Sequence, residues 1–104
     1  MEHKSYYAVI FISKLSNNTE GYHEMALEME ALATTQKGYL GFESARDTIG
    51  VSVSFWETLE DIRAWKHQSE HYLAQRYGKQ KWYTYYKVHI CKVEREYEFG
   101  DFNL

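Results

Sequence analysis

The stretch Tyr6-Tyr7-Ala8-Val9-Ile10-Phe11-Ile12 limits the fold more than any other part of the chain. It is aromatic and β-branched without polar alternation, the pattern of a strand that is covered on both faces. An architecture that left one side of this strand in water would leave half of its apolar side chains there. The rest of the chain must supply two layers of cover, or a second molecule must supply one of them.

The elements that follow supply one layer. Asn17-Asn18-Thr19 reads as a turn with a helix N-cap. From Glu20 to Lys37 the residues Tyr22, Met25, Ala26, Met29, Leu32 and Ala33 recur at helical spacing, with Glu24, Glu28 and Glu30 elsewhere on the wheel. Gly38 stands where a left-handed cap ends such a helix. Two short strands, 39–46 and 50–56, flank Asp47-Thr48-Ile49 and predict a hairpin. In the second of these, Val51, Val53 and Phe55 point one way while Gly50, Ser52, Ser54 and Trp56 point the other, and the small set either leaves a void or accommodates bulky helix side chains. Thr58 with Asp61 has the spacing of a capping box, and Leu59, Ile62 and Trp65 line one face of a second helix. Ser69 and Gly78 predict that helical structure between residues 66 and 83 is broken into two or three short pieces. The last strand, 85–95, carries Tyr86, Val88 and Ile90 on one face and Lys87, His89, Cys91 and Val93 on the other. Residues 97–104 alternate acids with aromatics, the composition of an arm laid on a partner subunit or of a disordered end.

Strand, helix, strand, strand, helix, strand is the order of an α+β, ferredoxin-like βαββαβ fold with a four-stranded antiparallel sheet. Two helices cover one face of such a sheet. The doubly apolar first strand then asks for an identical sheet on the other face, so the expected assembly is a homodimer through sheet-to-sheet packing.

Composition narrows the function classes. At 104 residues and 12.4 kDa the chain makes a single domain, 1–104, with a small core. Its formal charge of -3 argues against nucleic acid or an anionic membrane as the main partner, because either needs a net basic face. The one cysteine, Cys91, has no partner for an internal disulfide, which fits a reducing compartment. No apolar run approaches the ~20 residues needed to span a bilayer, and the expected location is cytoplasmic. Aromatics make up 17% of the chain, ten of them tyrosines, and point to a pocket or an interface.

The residues that could carry chemistry concentrate between Phe55 and Tyr83, which holds all three tryptophans and the pair His67 and His71. Four apart on a helix, the two histidines share a face and could chelate a metal, but no third ligand pattern accompanies them, and a surface or rim position is the simpler reading. His71 could serve as a base only if it faced a cavity. Arg76, Lys79 and Lys81 read as a solvated basic face. Glu43 pairs by default with Arg46 or Arg95, and Cys91 reads as a small buried hydrophobe.

Gly38-Tyr39-Leu40-Gly41-Phe42-Glu43-Ser44 with Arg46, then Val53-Ser54-Phe55-Trp56-Glu57, Trp65, His71, Ala74-Gln75, Gly78, Trp82-Tyr83 and Val93-Glu94-Arg95-Glu96-Tyr97 together resemble the antibiotic biosynthesis monooxygenase family of dimeric α/β-barrel proteins. The resemblance covers residues 6 to 97. It implies cofactor-independent oxygenation of a small aromatic or quinol-type compound, with no metal and no cofactor. The substrate anion would be held in a closed apolar cavity between sheet and helices and would itself give an electron to oxygen. Ser52, Ser54 and Trp56, with Trp82 or Tyr83, would bind the substrate, and Trp65 and His71 would act on it. A second reading keeps the cavity as the site of a non-catalytic small hydrophobic ligand-binding or stress-related module. Haem-degrading relatives use an asparagine on the first strand and an axial histidine ten positions after the helix tryptophan. Here Gln75 stands ten positions after Trp65 and the first strand has no asparagine, which speaks against haem; a haem-binding or haem-degrading protein is the third and least favoured reading, and would need His71 or His67 as ligand in another helix register.

Overall fold

A computed structural model describes residues 5–78 and 80–101. The elements are β1 (Tyr6–Leu15), α1 (Tyr22–Thr34), β2 (Tyr39–Arg46), β3 (Gly50–Trp56), α2 (Leu59–Tyr77) and β4 (Tyr83–Val93). The four strands form one antiparallel sheet in the order β2-β3-β1-β4, the ferredoxin-like arrangement expected from the element order. Lys79 of the basic cluster and Phe102 to Leu104 of the tail lie outside the described residues.

The start of α1 is later than the sequence suggests. Asn18 is held by the Ser16 hydroxyl, and the Glu20 carbonyl accepts a hydrogen bond from the Trp82 indole, so these residues are committed to a turn. Gly21 caps the helix at φ 80, a left-handed conformation that only glycine adopts cheaply, without a side-chain cap. The helix also stops before Gly38. The Thr34 and Thr35 hydroxyls bond back to the carbonyls of Ala31 and Leu32 and loosen the last turn. Gly38, at φ 84, instead turns the chain into β2, where any Cβ would overlap the Asp61 carboxylate at the start of α2.

The second helix is continuous, which corrects the expectation of several short pieces. Thr58 caps it, accepting from the Asp61 amide at 3.0 Å as its spacing predicts. Ser69 does not break it because its hydroxyl bonds within the helix to the Lys66 carbonyl at 3.0 Å, and serine costs only a fraction of a kcal/mol, roughly 0.5, relative to alanine. Gly78, at φ 65, ends it.

Both helices pack on one face of the sheet, α2 through Trp65 on Trp56 of β3 and the start of α1 through Tyr22 on Tyr83 of β4. Ala33, Met25, Ile62, Trp56 and Trp82 form the buried core on the helix side, and Ala8, opposite Phe55 on the far face, is also buried. No described helix covers the far face, where Ile10, Ile12, Val53 and Phe55 are half-buried and Val51 is 40% exposed; on the helix side Tyr7, Val9 and Phe11 are half-buried as well.

Candidate functional site

Strand register sets four rows of side chains across the helix-side face of the sheet. The first row is Arg46, Gly50, Ser13 and Tyr86. The second is Ser44, Ser52, Phe11 and Val88; the third is Phe42, Ser54, Val9 and Ile90. The fourth is Tyr39, Trp56, Tyr7 and Lys92. Successive rows lie about 6.8 Å apart along the strands. The β4 end of the middle rows stays open, with Val88 47% and Ile90 52% exposed.

The fourth row is a wall of stacked indoles. Trp56 is fully buried, its ring lies 5.7 Å from that of Trp65 at 24°, and Tyr39 meets it edge-on at 5.8 Å. Its Nε1 donates to the Ser54 hydroxyl at 2.8 Å, so Ser54 is buried and already engaged as an acceptor. Ser52, one row closer to Arg46, is half-buried.

The first row is polar. The Arg46 guanidinium lies over Gly50, where a Cβ would overlap it. It donates to the Ser13 hydroxyl, to the Ser13 carbonyl at 3.5 Å and to the Tyr22 hydroxyl at 3.2 Å, and its Cζ sits 5.4 Å from the Tyr22 ring centroid. Ser13 is fully buried. Tyr83 and Tyr86 close this end. A bulge opposite Lys14 and Leu15 puts both on the helix side, and Phe11 meets Tyr83 at 5.4 Å and Tyr86 at 5.5 Å. Burial, with the Tyr22 hydroxyl beside it, pushes the Tyr83 phenol well above its ordinary range, partly offset by Arg46, so Tyr83 stays a neutral donor.

The sequence-derived residues thus fall into three groups. Ser52, Ser54, Trp56, Trp65 and Tyr83 come together around the two middle rows. Trp82 is buried elsewhere, its Nε1 donating to the Glu20 carbonyl at 2.7 Å and its ring between Tyr22 and Tyr77, where it fastens the start of α1 to the end of α2. His71 and His67 are exposed on α2. At about 100° per residue His71 lies about 120° around the helix from Trp65, away from the sheet. Among the described residues no group of three histidine, cysteine, aspartate or glutamate side chains is placed to hold a metal.

Arg46 was not among the residues expected at the site. Its default partner, Glu43, is three positions away on the same strand, so the two side chains point to opposite faces. The legible signal was a long cation facing a glycine across the hairpin. Cys91, read as buried, is exposed. An open depression of about 370 Å³ lies away from the rows, against Tyr6, Leu40, Glu43, Phe55 and Glu96.

A sequence profile described as antibiotic biosynthesis monooxygenase matches residues 5–77. The chain belongs to this family. It is 45% identical over 98 residues to the Bacillus subtilis protein named uncharacterized protein YqjZ, covering 92% of this chain and 86% of that one. Among solved structures it resembles a protein of unknown function from Nitrosomonas europaea, with TM-score 0.72, 8% identity, 96% of this chain and 100% of the other covered. It also resembles SnoaB, a cofactor-independent oxygenase from Streptomyces nogalater, with TM-score 0.68, 9% identity, 90% and 97% covered. These structural likenesses speak to the family fold: the same α+β sandwich of one antiparallel sheet and two helices. The position ten residues after Trp65 is an exposed glutamine, Gln75, on α2.

Proposed function

We propose that the chain is a cofactor-independent monooxygenase that binds a small aromatic or quinol-type compound on the middle rows of the helix-side face. The single observation that carries this reading is the uneven cover of that face. Phe11, Val9, Val88 and Ile90 form an apolar floor whose β4 end is open, set between the indole wall of Trp56 and Trp65 and the tyrosines at the other end. A flat ring lying there would exchange exposed apolar surface for aromatic contact, at roughly 25 cal/mol per Å² buried.

In such a site the protein binds, orients and excludes water. The substrate anion reduces dioxygen: for a ring methylene flanked by carbonyl-bearing rings, one oxygen atom ends as the new carbonyl and the other leaves as water with the two methylene protons. Donors aimed at the developing charge stabilise the anion. His71, exposed and turned from the floor, takes no part in this proposal. The competing reading, a non-catalytic carrier of a small hydrophobic ligand, uses the same floor.

Two further features of the proposal concern assembly and place. The uncovered far face of the sheet supports a homodimer closed by sheet-to-sheet packing into an α/β barrel, each copy keeping its own helix-side site. The proposed place is the cytoplasm; no helix among the described residues is long and apolar enough to cross a membrane.

Oxygen uptake with a panel of anthrones and quinols tests the function. Uptake is expected for at least one ring system and is expected to fall in Trp65→Phe while His71→Ala matches the parent. Binding of these compounds without any uptake would establish the carrier reading instead.

A further inference from the structure

We propose that Arg46 is the anion-binding residue of the site, and that the ligand carries a negative oxygen, a phenolate, enolate or carboxylate on an aromatic ring, at its end of the floor. The inference rests on the reading that the ligand lies on the two middle rows, one row away from Arg46.

The argument begins with what surrounds the guanidinium. All of its hydrogen-bond partners among the described residues are neutral: the Ser13 hydroxyl and carbonyl and the Tyr22 hydroxyl. No described carboxylate lies within ion-pair distance of it; the two ion pairs found there are Lys66 with Glu70 and Arg76 with Glu28. A guanidinium has five N–H donors in a planar fork, and three donor contacts leave part of that fork unassigned.

Next, the position is built. Arg46 is an edge-strand residue that would ordinarily extend into water. Gly50 leaves the space for it to fold back over the sheet, the fully buried Ser13 holds one side, and the Tyr22 ring lies against it. Such fixing costs side-chain entropy, and it aims the fork along a defined direction. From Tyr22 the ring contacts run on to Tyr83, and from Tyr83 to Phe11 and Tyr86. A cation with unfilled donors, at the end of an aromatic floor, matches an aromatic anion better than a neutral aromatic.

Calorimetric titration with naphthoate and with its neutral carboxamide, which share shape and differ in charge, tests the assignment. The parent is expected to bind naphthoate more tightly than the carboxamide. Arg46→Gln should weaken naphthoate about tenfold or more, the loss of a hydrogen bond to a charged group, and leave the carboxamide within about twofold. Tyr22→Phe, which keeps the ring and removes one support of the guanidinium, should give a smaller loss confined to naphthoate. Circular dichroism of each variant confirms that the fold is retained. Equal binding of the two probes by the parent, or an equal loss of both in Arg46→Gln, would overturn the anion assignment while leaving the floor as the ligand site. Failure of both probes to bind the parent would remove the floor as well.

Discussion

The Arg46 guanidinium occupies the space that a side chain at Gly50 would take, one residue of each strand directly opposite the other in the β2–β3 hairpin. This pairing makes glycine the only residue at position 50 that leaves the cation over the sheet, and it joins the hairpin to Ser13 on β1 and to Tyr22 on α1.

Gly50→Ala is therefore expected to expel the guanidinium rather than to disturb the strand, since the clashing atoms are the far end of a flexible side chain. The fully buried Ser13 hydroxyl would lose its partner, a cost of about 1–3 kcal/mol. Urea denaturation should register that loss, whereas Ser52→Ala, next along the same face, should stay within about 0.5 kcal/mol of the parent. Equal stability of Gly50→Ala and the parent would show that Arg46 holds nothing at Ser13.

The two stacked tryptophans should differ in their response to truncation. Trp56 is fully buried and is the donor to Ser54, so Trp56→Phe both opens space and leaves that hydroxyl without its donor, a cost of about 1–3 kcal/mol or more. Trp65 is half-buried and makes no such bond, so Trp65→Phe should cost less in stability and more in ligand affinity. Denaturation midpoints together with ligand titrations of both variants separate the two roles.

The contact between the helices sets a dependence on pH. The Glu28 carboxylate accepts from the Tyr77 hydroxyl and from Arg76 at 3.3 Å, and these donors, Tyr77 foremost, hold its pKa below the ordinary 4.5. Burial, then the bond to Glu28, pushes the Tyr77 phenol from 10.0 up to about 12. The depressed acid contributes stability that is present above pH 4.5 and lost as pH falls through its folded value. The raised phenol contributes stability that is present below pH 10.0 and lost as pH rises toward about 12. Melting temperatures from acid to alkaline pH should show both flanks, and Tyr77→Phe should flatten the alkaline one. An alkaline flank unchanged in Tyr77→Phe would assign it to another group.

Sheet-to-sheet assembly predicts a sedimenting species of twice 12.4 kDa at micromolar concentration. Val53 lies near the middle of the uncovered face, and Val53→Asp should return the chain to a single 12.4 kDa species, because an unpaired carboxylate in an apolar interface is strongly disfavoured. A parent chain that sediments as a monomer would remove the barrel from the proposal.

The element order, the hairpin, the Thr58 cap of α2 and the two faces of β3 and β4 were all determined by the sequence itself. They follow from local rules: alternation assigns Val51, Val53 and Phe55 to one side of β3, and a hydroxyl three residues before Asp61 starts a helix. Tertiary structure decided the rest, because those features depend on partners remote in sequence. Ser69 looked like a breaker by composition and proved harmless once its hydroxyl found a carbonyl inside the helix. Trp82, grouped with the cavity residues by the family resemblance, is drawn away by the Glu20 carbonyl, 62 residues earlier. The bulge near Thr84 brings Tyr83 and Tyr86 to the same side. Arg46 reaches Ser13, 33 residues away, only because the strand between them in the sheet begins with a glycine. Short-range periodicity says which face a side chain takes; whether that face is filled, open or charged depends on what the fold brings against it.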